Sequence, residues 1–132
     1  MPLAFFRPGR YYVIDYSHSI GMLAMNAAQK RLYRLKAEVI AAAGHPIRLA
    51  ILDYLRDGEQ CVCDIATHVD AGRSNVSRHL AVLRKAGIVE QRKDGLRMLY
   101  TLKTPCILNF LQCVEGVLRD RARDAAVLLN TL

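Results

Sequence analysis

Residues 73–87, RSNVSRHLAVLRKAG, carry the pattern that decides the fold. Val76, Leu80 and Leu83 are spaced four and three residues apart, so an α-helix places them on one buried stripe, and Gly87 is suited to end that helix. The side chains that face the opposite way are small, polar or basic: Ser74, Arg78, Ala81 and Lys85. The stretch therefore predicts a helix with one side in the core and a basic, polar side open to a partner.

A β-hairpin is predicted directly after this helix. In residues 88–102, IVEQRKDGLRMLYTL, two runs of strand-forming side chains flank Asp94-Gly95, a strong signal for a tight hairpin turn. Arg92, Lys93 and Arg97 cluster near the predicted tip. A basic helix followed by a basic hairpin is typical of a winged helix-turn-helix, in which the hairpin is the wing.

The remaining elements are predicted to be helical. Apolar side chains recur every three or four residues, and Gly or Pro marks the ends. These helices cover about residues 28–43, 46–57 and 62–69, and, beyond the hairpin, residues 106–121 or further. His45, before Pro46, is expected to cap the second helix or to belong to its framework. The apolar face of the last helix is too wide for a small monomer.

The predicted fold class is therefore mainly α with a β-hairpin wing, made of five helices plus the hairpin. Residues 28–132 form the winged helix-turn-helix domain, which serves DNA binding and dimerisation. Residues 1–27, aromatic and interrupted by Pro and Gly, are predicted to form an N-terminal arm, extended or poorly ordered.

Charge and composition favour a polyanionic partner and a cytoplasmic protein. The 132 residues include 19 Lys and Arg against 12 Asp and Glu, a formal net charge of +7, which suits nucleic acid. No apolar stretch is long enough to span a membrane, and the first residues do not resemble a secretory signal. In a reducing compartment the four cysteines are expected to be free thiols, metal ligands or redox sensors.

Double-stranded operator DNA is the expected partner. In a winged helix-turn-helix the second helix of the pair enters the major groove, where Arg78 suits guanine and Asn75 suits adenine. The wing is expected to touch phosphates or the minor groove. The predicted DNA-contacting residues are Arg73, Ser74, Asn75, Ser77, Arg78, His79 and Lys85 of the helix, and Arg92, Lys93 and Arg97 of the hairpin. His79, which flanks the buried stripe, is expected to be structural or to contact a phosphate.

Residues 35–102 closely resemble the ArsR/SmtB family of bacterial metal-sensing repressors. The matching segments are AGHPIRLAILDYL, GEQCVCDIA, RSNVSRHLAVLRKAGIV and RKDGLRMLYTL, in this order. The resemblance implies a homodimer, joined through its first and last helices, that binds operator DNA and is released from it by an inducer. The apolar stripes of those two helices favour the same assembly.

Cys61 and Cys63 match the cysteine pair of this family. The resemblance implies that they bind arsenite, antimonite or a soft divalent ion such as cadmium or lead, with no permanently bound cofactor. In an α-helix, side chains two residues apart point about 200° apart, so chelation by both thiols requires an extended or unwound first turn. We therefore expect the inducer to distort the start of the third helix, which packs against the DNA-reading helix, and so to lower DNA affinity.

The third ligand is left open by the sequence. In the arsenite-responsive pattern of the family a third cysteine follows three residues on, where this chain has Ala66. Cys106, from the same or the partner subunit, is the preferred third thiolate. Cys113 is less favoured, since it equally suits the role of a small buried hydrophobe. Both lie on nearly one face of the last helix but about 10 Å apart, so they are not expected to share an ion.

Zinc is a further candidate inducer, but not at a site formed by the last helix alone. Cys106 stands where the zinc- and nickel-type sites of the family place a ligand. The other ligands of that pattern are replaced in this chain by Thr104, Val117 and Asp120.

Two alternative functions are compatible with the same fold, and a third is not. The protein could be a repressor that responds to thiol oxidation or sulfane sulfur, since a thiolate near a helix N-terminus has a lowered pKa. It could also be a winged-helix DNA-binding protein without an inducer. An enzyme is not expected, because the chain has no Gly-rich phosphate loop, nucleophile elbow or His-Glu-x-x-His motif.

Overall fold

The computed structural model describes residues 24–131 and confirms the winged helix-turn-helix with five α-helices. The elements are, in chain order, α1 (Ala27–Ala43), α2 (Pro46–Tyr54), a 3₁₀ turn (Leu55–Asp57), β1 (Gln60–Cys61), α3 (Val62–His68), α4 (Arg73–Lys85), β2 (Val89–Asp94), β3 (Arg97–Leu102) and α5 (Ile107–Leu129). Of the predicted N-terminal arm, residues 1–23 lie outside the described part of the chain.

Local signals in the sequence explain where the first helices begin and end. Asn26 forms a capping box with Gln29 at the start of α1. The Nδ1 atom of His45 accepts a hydrogen bond from the backbone N–H of Ile47 at 3.2 Å, which confirms its capping role at α2. Gly58 ends the turn that follows α2 with a φ of 122°, which an L side chain rarely adopts.

The strands form one antiparallel sheet in the order β1-β3-β2. The hairpin is confirmed, but its turn lies one residue later than predicted, because Asp94 pairs with Arg97 and the loop is Gly95-Leu96. Gly95 has a φ of 59° and Leu96 does not share the positive φ, a combination that fits a type II′ turn. The short strand β1 was not predicted, since its two residues give no alternation pattern.

The core lies between α2, α3, α4 and the base of the sheet. Val76, Leu80 and Leu83 are fully buried, as the spacing in α4 predicted. They pack in one cluster with the other fully buried side chains, which are Ile51, Leu52, Leu55, Ile65, Ile88 and Val89. This packing fixes α4 with its opposite side outward.

Helices α1 and α5 leave large apolar side chains outside this core. No residue of α5 is buried, and Phe110, Val114, Val117 and Leu118 are each between 41% and 57% exposed. The same holds in α1 for Leu32, Leu35, Val39 and Ile40. Apolar surfaces of this extent commonly mark an interaction site. None of the helices in the described range is long and apolar enough to cross a membrane.

Candidate DNA-reading surface and thiol site

The outward side of α4 gathers most of the predicted DNA-reading residues. Ser74, Ser77, Arg78 and Lys85 are exposed, and Asn75 is half-buried beside them. Among the described residues, the guanidinium of Arg78 has only a long hydrogen bond, 3.5 Å from its Nε to the carbonyl of Ser74. This face of α4 therefore presents hydrogen-bond donors that have few partners within the described chain. Arg73 lies at its N-terminal end.

His79 differs from these residues in its surroundings. Its ring lies 4.5 Å from that of His45, and its Nδ1 atom is 3.3 Å from Nη1 of Arg48. Burial lowers the pKa of His79, and the nearby charges of His45, Arg48 and Arg78 lower it further. His79 therefore lies on the flank of α4 that meets α2, away from the outward face. Sequence reasoning did not single out Arg48, which carries no signal beyond its charge.

The three predicted basic residues of the wing differ in whether they are paired with a carboxylate. Lys93 and Arg97 are exposed, and within residues 24–131 neither has a carboxylate within 4 Å. Arg92 instead forms two hydrogen bonds to Glu59, from Nε at 2.7 Å and from Nη2 at 2.5 Å. The hydrogen bond from Arg92 lowers the pKa of Glu59. Arg92 is thus already paired with a carboxylate, a partner that sequence reasoning missed.

Cys61 is the last residue of β1 and the N-cap of α3. Its backbone is extended, with φ −80° and ψ 154°, and its side chain is buried. The Sγ atom accepts a hydrogen bond from the backbone N–H of Asp64 at 3.4 Å, and the thiol donates to the Asp64 carboxylate at 3.0 Å. The second of these bonds is the main reason that the pKa of Cys61 is raised. The lowered pKa that we expected of a thiol at a helix entrance does not apply to Cys61.

Cys63 lies in the first turn of α3 and is half-buried. It lines a cleft of about 490 Å³ between α3 and the start of α4, together with Asp64, Ala66, Thr67, Asp70, Ala71, Gly72 and Arg73. Because Cys61 is already extended, only Cys63 of the pair is helical. Chelation by both thiols would therefore need a change only at residues 62–64, less than the sequence led us to expect.

Cys106 and Cys113 are both exposed, Cys106 as the N-cap of α5 and Cys113 within that helix. Cys113 is thus not buried in a single chain. It could act as a small buried hydrophobic residue only if a second protein surface covered it. Among the described residues of a single chain, no three His, Cys, Asp or Glu side chains are close enough together to hold a metal ion. A third ligand to the Cys61 and Cys63 pair would have to come from a rearrangement or from a partner subunit.

Comparison with known proteins identifies the family of this chain. Residues 45–91 match the family described as bacterial regulatory protein, arsR family. The helix-turn-helix-type transcriptional regulator Rv0081 of Mycobacterium tuberculosis is 36% identical over 102 residues, which cover 76% of this chain and 90% of that protein. The chain belongs to the ArsR family. As an ArsR-family protein it is a DNA-binding transcriptional regulator.

Solved structures support the fold of this ArsR-family chain. The crystal structure of Rv0081 has a TM-score of 0.64 and covers 72% of this chain and 96% of that one. The solution structure of Mb0332 from Mycobacterium bovis, described as a homodimeric winged helix-turn-helix DNA-binding domain, is 28% identical with a TM-score of 0.66. It covers 78% of this chain and 95% of that one.

Another relative is named for cadmium resistance. The cadmium resistance transcriptional regulatory protein CadC of Listeria innocua is 42% identical over 66 residues. That match covers 49% of the ArsR-family chain described here and 56% of CadC.

Proposed function

We propose that this protein is a homodimeric repressor that binds double-stranded operator DNA and releases it when a thiophilic inducer binds Cys61 and Cys63. The inducer is arsenite or antimonite, or a soft divalent ion such as cadmium or lead, with zinc as a further candidate. One observation carries the proposal: Cys61 caps α3, while Cys63 lines the cleft whose other wall is the start of α4. An ion held by both thiols thus acts on the contact between α3 and α4.

The DNA-binding part of the proposal uses two basic surfaces. Arg73, Ser74, Asn75, Ser77, Arg78 and Lys85 read base edges or hold the groove walls, and Lys93 and Arg97 of the wing contact phosphates. Arg92 joins them only when it leaves Glu59, and His79 acts from the flank of α4. Each phosphate that is neutralised steepens the salt dependence by about 0.9 in log affinity per log unit of salt.

The dimer is supported by the exposed apolar faces of α1 and α5. Both faces remain largely exposed within the described residues of one chain, although Leu35 and Val39 of α1 lie beside Val82 and Ala86 of α4. A homodimer covers both faces by joining the two helices with their copies. The homodimeric description of the Mycobacterium bovis relative supports the same assembly. Two copies place two α4 helices on DNA, so the operator is an imperfect palindrome with half-sites one or more helical turns apart.

DNA release follows because the ion and the α3 helix cap compete for the Sγ atom of Cys61. To bind an ion, Sγ of Cys61 gives up both its bonds to Asp64, and loss of an N-cap typically costs a helix about 1 kcal/mol. The helix α3 has only 7 residues, so this loss is large for it. The ion favours the distorted α3, and DNA favours the regular one, which makes the two ligands antagonistic.

The third ligand and the identity of the ion are linked. Soft ions usually take more than two thiolates, and arsenite takes three. Cys106 is exposed at the start of α5 and is the preferred third thiolate, from either subunit, with Cys113 second. The absence of a thiol at Ala66 favours a soft divalent ion over arsenite.

A response to oxidants through Cys61 is less well supported. The nucleophile in thiol oxidation is the thiolate, and burial together with a raised pKa keeps Cys61 protonated and shielded at neutral pH. We therefore assign Cys61 to ion binding and not to oxidation.

Titration of the purified protein with cadmium, lead, zinc and arsenite tests the ion site through thiolate-to-metal absorption. The wild type is expected to saturate at one ion per Cys61 and Cys63 pair, and Cys61→Ser and Cys63→Ser to lose most of the absorption. Cys106→Ser should weaken binding more than Cys113→Ser does. Full absorption in Cys61→Ser and Cys63→Ser would overturn the assignment of the pair.

A further inference from the structure

A cluster of basic side chains lies where α2 meets α4. It consists of His45 and Arg48 from the start of α2 and of Arg78 and His79 from α4. Within residues 24–131, none of the four has a carboxylate oxygen within 4 Å. Three of the four, His45, Arg48 and His79, are half-buried. Arg48 contacts His79, so a permanent cation is held against an imidazole with no counter-charge.

The hydrogen bonds of Arg48 are poor for a partly buried guanidinium. Nη1 lies 3.3 Å from the His79 ring and Nη2 lies 3.5 Å from the carbonyl of Ala41, both neutral acceptors at long distance. Nε is buried and has no hydrogen-bond partner in the part of the chain that the structure describes. A guanidinium in such surroundings gains most from an anion that accepts two of its N–H groups at once, as a phosphate does.

The place of the cluster in the fold suggests which anion that is. Arg78 belongs to the outward face of α4, and His79 lies next to it on the flank toward α2. A helix in the major groove has a phosphate backbone along each flank, so a cation on that flank faces phosphate and not base edges.

We propose that Arg48, with His45 and His79, forms a binding site for a backbone phosphate of the operator DNA. The inference rests on the DNA binding proposed above and adds a contact from α2, outside the two helices of the helix-turn-helix. On binding, the guanidinium exchanges the His79 ring for phosphate oxygens. The Nδ1 atom of His79, now without its donor, takes up a proton and donates to the same phosphate.

The proton uptake predicts a pH dependence of DNA affinity that is specific to this site. In the free protein, burial and the neighbouring His45, Arg48 and Arg78 keep His79 neutral, and from α1 the carbonyl of Ala41 accepts a hydrogen bond from Arg48. A bound phosphate favours the imidazolium, so DNA affinity rises as the pH falls through the range in which only the complex is protonated.

The test uses the full chain and a duplex that the wild type selects from a random library of double-stranded DNA. Anisotropy titrations over a series of salt concentrations give the slope of log affinity against log salt. Arg48→Gln is expected to flatten the slope by about 0.9 per subunit. Arg48→Lys, which keeps the charge, should retain most of the slope. Arg56→Gln is the matched control, since Arg56 pairs with Asp53 at the other end of α2 and its loss should leave the slope unchanged.

A second readout does not depend on the folding of Arg48→Gln. Affinity of the wild type for the same duplex should rise between pH 8 and pH 6, and His79→Gln should remove most of that rise. If Arg48→Gln folds and keeps the wild-type slope, or if His79→Gln keeps the wild-type pH dependence, the phosphate site is wrong. Failure to select any duplex would instead overturn the proposed DNA binding itself.

Discussion

Cys61 is both the cap of α3 and a proposed ligand, and Asp64 is its hydrogen-bond partner in the ion-free protein. The thiol donates to the Asp64 carboxylate, and the backbone N–H of Asp64 donates to the sulfur. Because an ion needs the thiolate, binding releases a proton that the carboxylate helps to retain. The affinity for a thiophilic ion should therefore rise with pH until it passes the raised pKa of Cys61.

Asp64→Asn tests this coupling. The variant removes the carboxylate whose hydrogen bond with the thiol, and to a smaller extent whose charge, raises the pKa of Cys61, but it keeps the backbone N–H. The pH profile of cadmium affinity should therefore shift to lower pH. Competition with a chelator across the pH range measures it. An unchanged profile would show that Asp64 does not control the thiol, and a loss of affinity at every pH would make the carboxylate itself a ligand.

His79 gives a prediction about stability. Its folded pKa is lower than the unfolded value of 6.5, so the unfolded chain binds more protons in the range between the two. The stabilisation is complete above the unfolded pKa and is lost as the pH falls through that range. Urea unfolding of the wild type should show this loss, and His79→Gln should show less of it. Equal pH dependence in both would mean that His79 titrates normally.

The β1 strand connects the thiol pair to the wing. Cys61 pairs with Leu99 of β3, and Leu99 pairs with Arg92 of β2, so the three residues form one row across the sheet. Glu59, two residues before Cys61, holds Arg92 by two hydrogen bonds. A change in β1 on ion binding would thus reach a basic residue of the wing.

Glu59→Gln is expected to strengthen DNA binding, because it frees Arg92 from the carboxylate that competes with phosphate. The salt dependence of binding to the selected duplex should become steeper. Asp53→Asn, which breaks the exposed pair with Arg56, is the control and should have no effect. Weaker binding by Glu59→Gln would mean that the pair holds the wing in its binding position.

Local signals predict the elements of this chain well and its non-local contacts poorly. The α4 stripe, the Gly58 and Gly87 helix ends and the hairpin follow from spacing and turn chemistry and are confirmed. The strand β1 is missed because its only support is pairing with residues almost forty positions later. The same limit hid the Arg92–Glu59 pair and the contact between Arg48 and His79, while the roles of the DNA and thiol residues stay predictions.

The assembly of the molecule depends on surfaces that one chain does not cover. Val117 of α5 is 52% exposed among other apolar side chains, and α1 has a similar face. If these faces form the dimer, the affinity for an operator of two half-sites depends on them even though they are far from α4 in sequence.

Val117→Glu should therefore produce a monomer in sedimentation experiments and weaken binding to the selected duplex, since a charge at a desolvated interface is costly. Leu96→Glu, at the fully exposed wing tip, is the control for sedimentation and should remain dimeric. A dimeric Val117→Glu would place the interface elsewhere.

The central claim is that ion binding at Cys61 and Cys63 and DNA binding oppose each other. The most direct measurement is the dissociation constant for the selected duplex with and without saturating cadmium, in the wild type and in the Cys61→Ser, Cys63→Ser double variant. We predict that cadmium weakens wild-type binding by roughly five- to 150-fold, the usual range of allosteric coupling, and leaves the double variant unchanged. Equal weakening of both proteins, with arsenite and lead behaving alike, would contradict the claim.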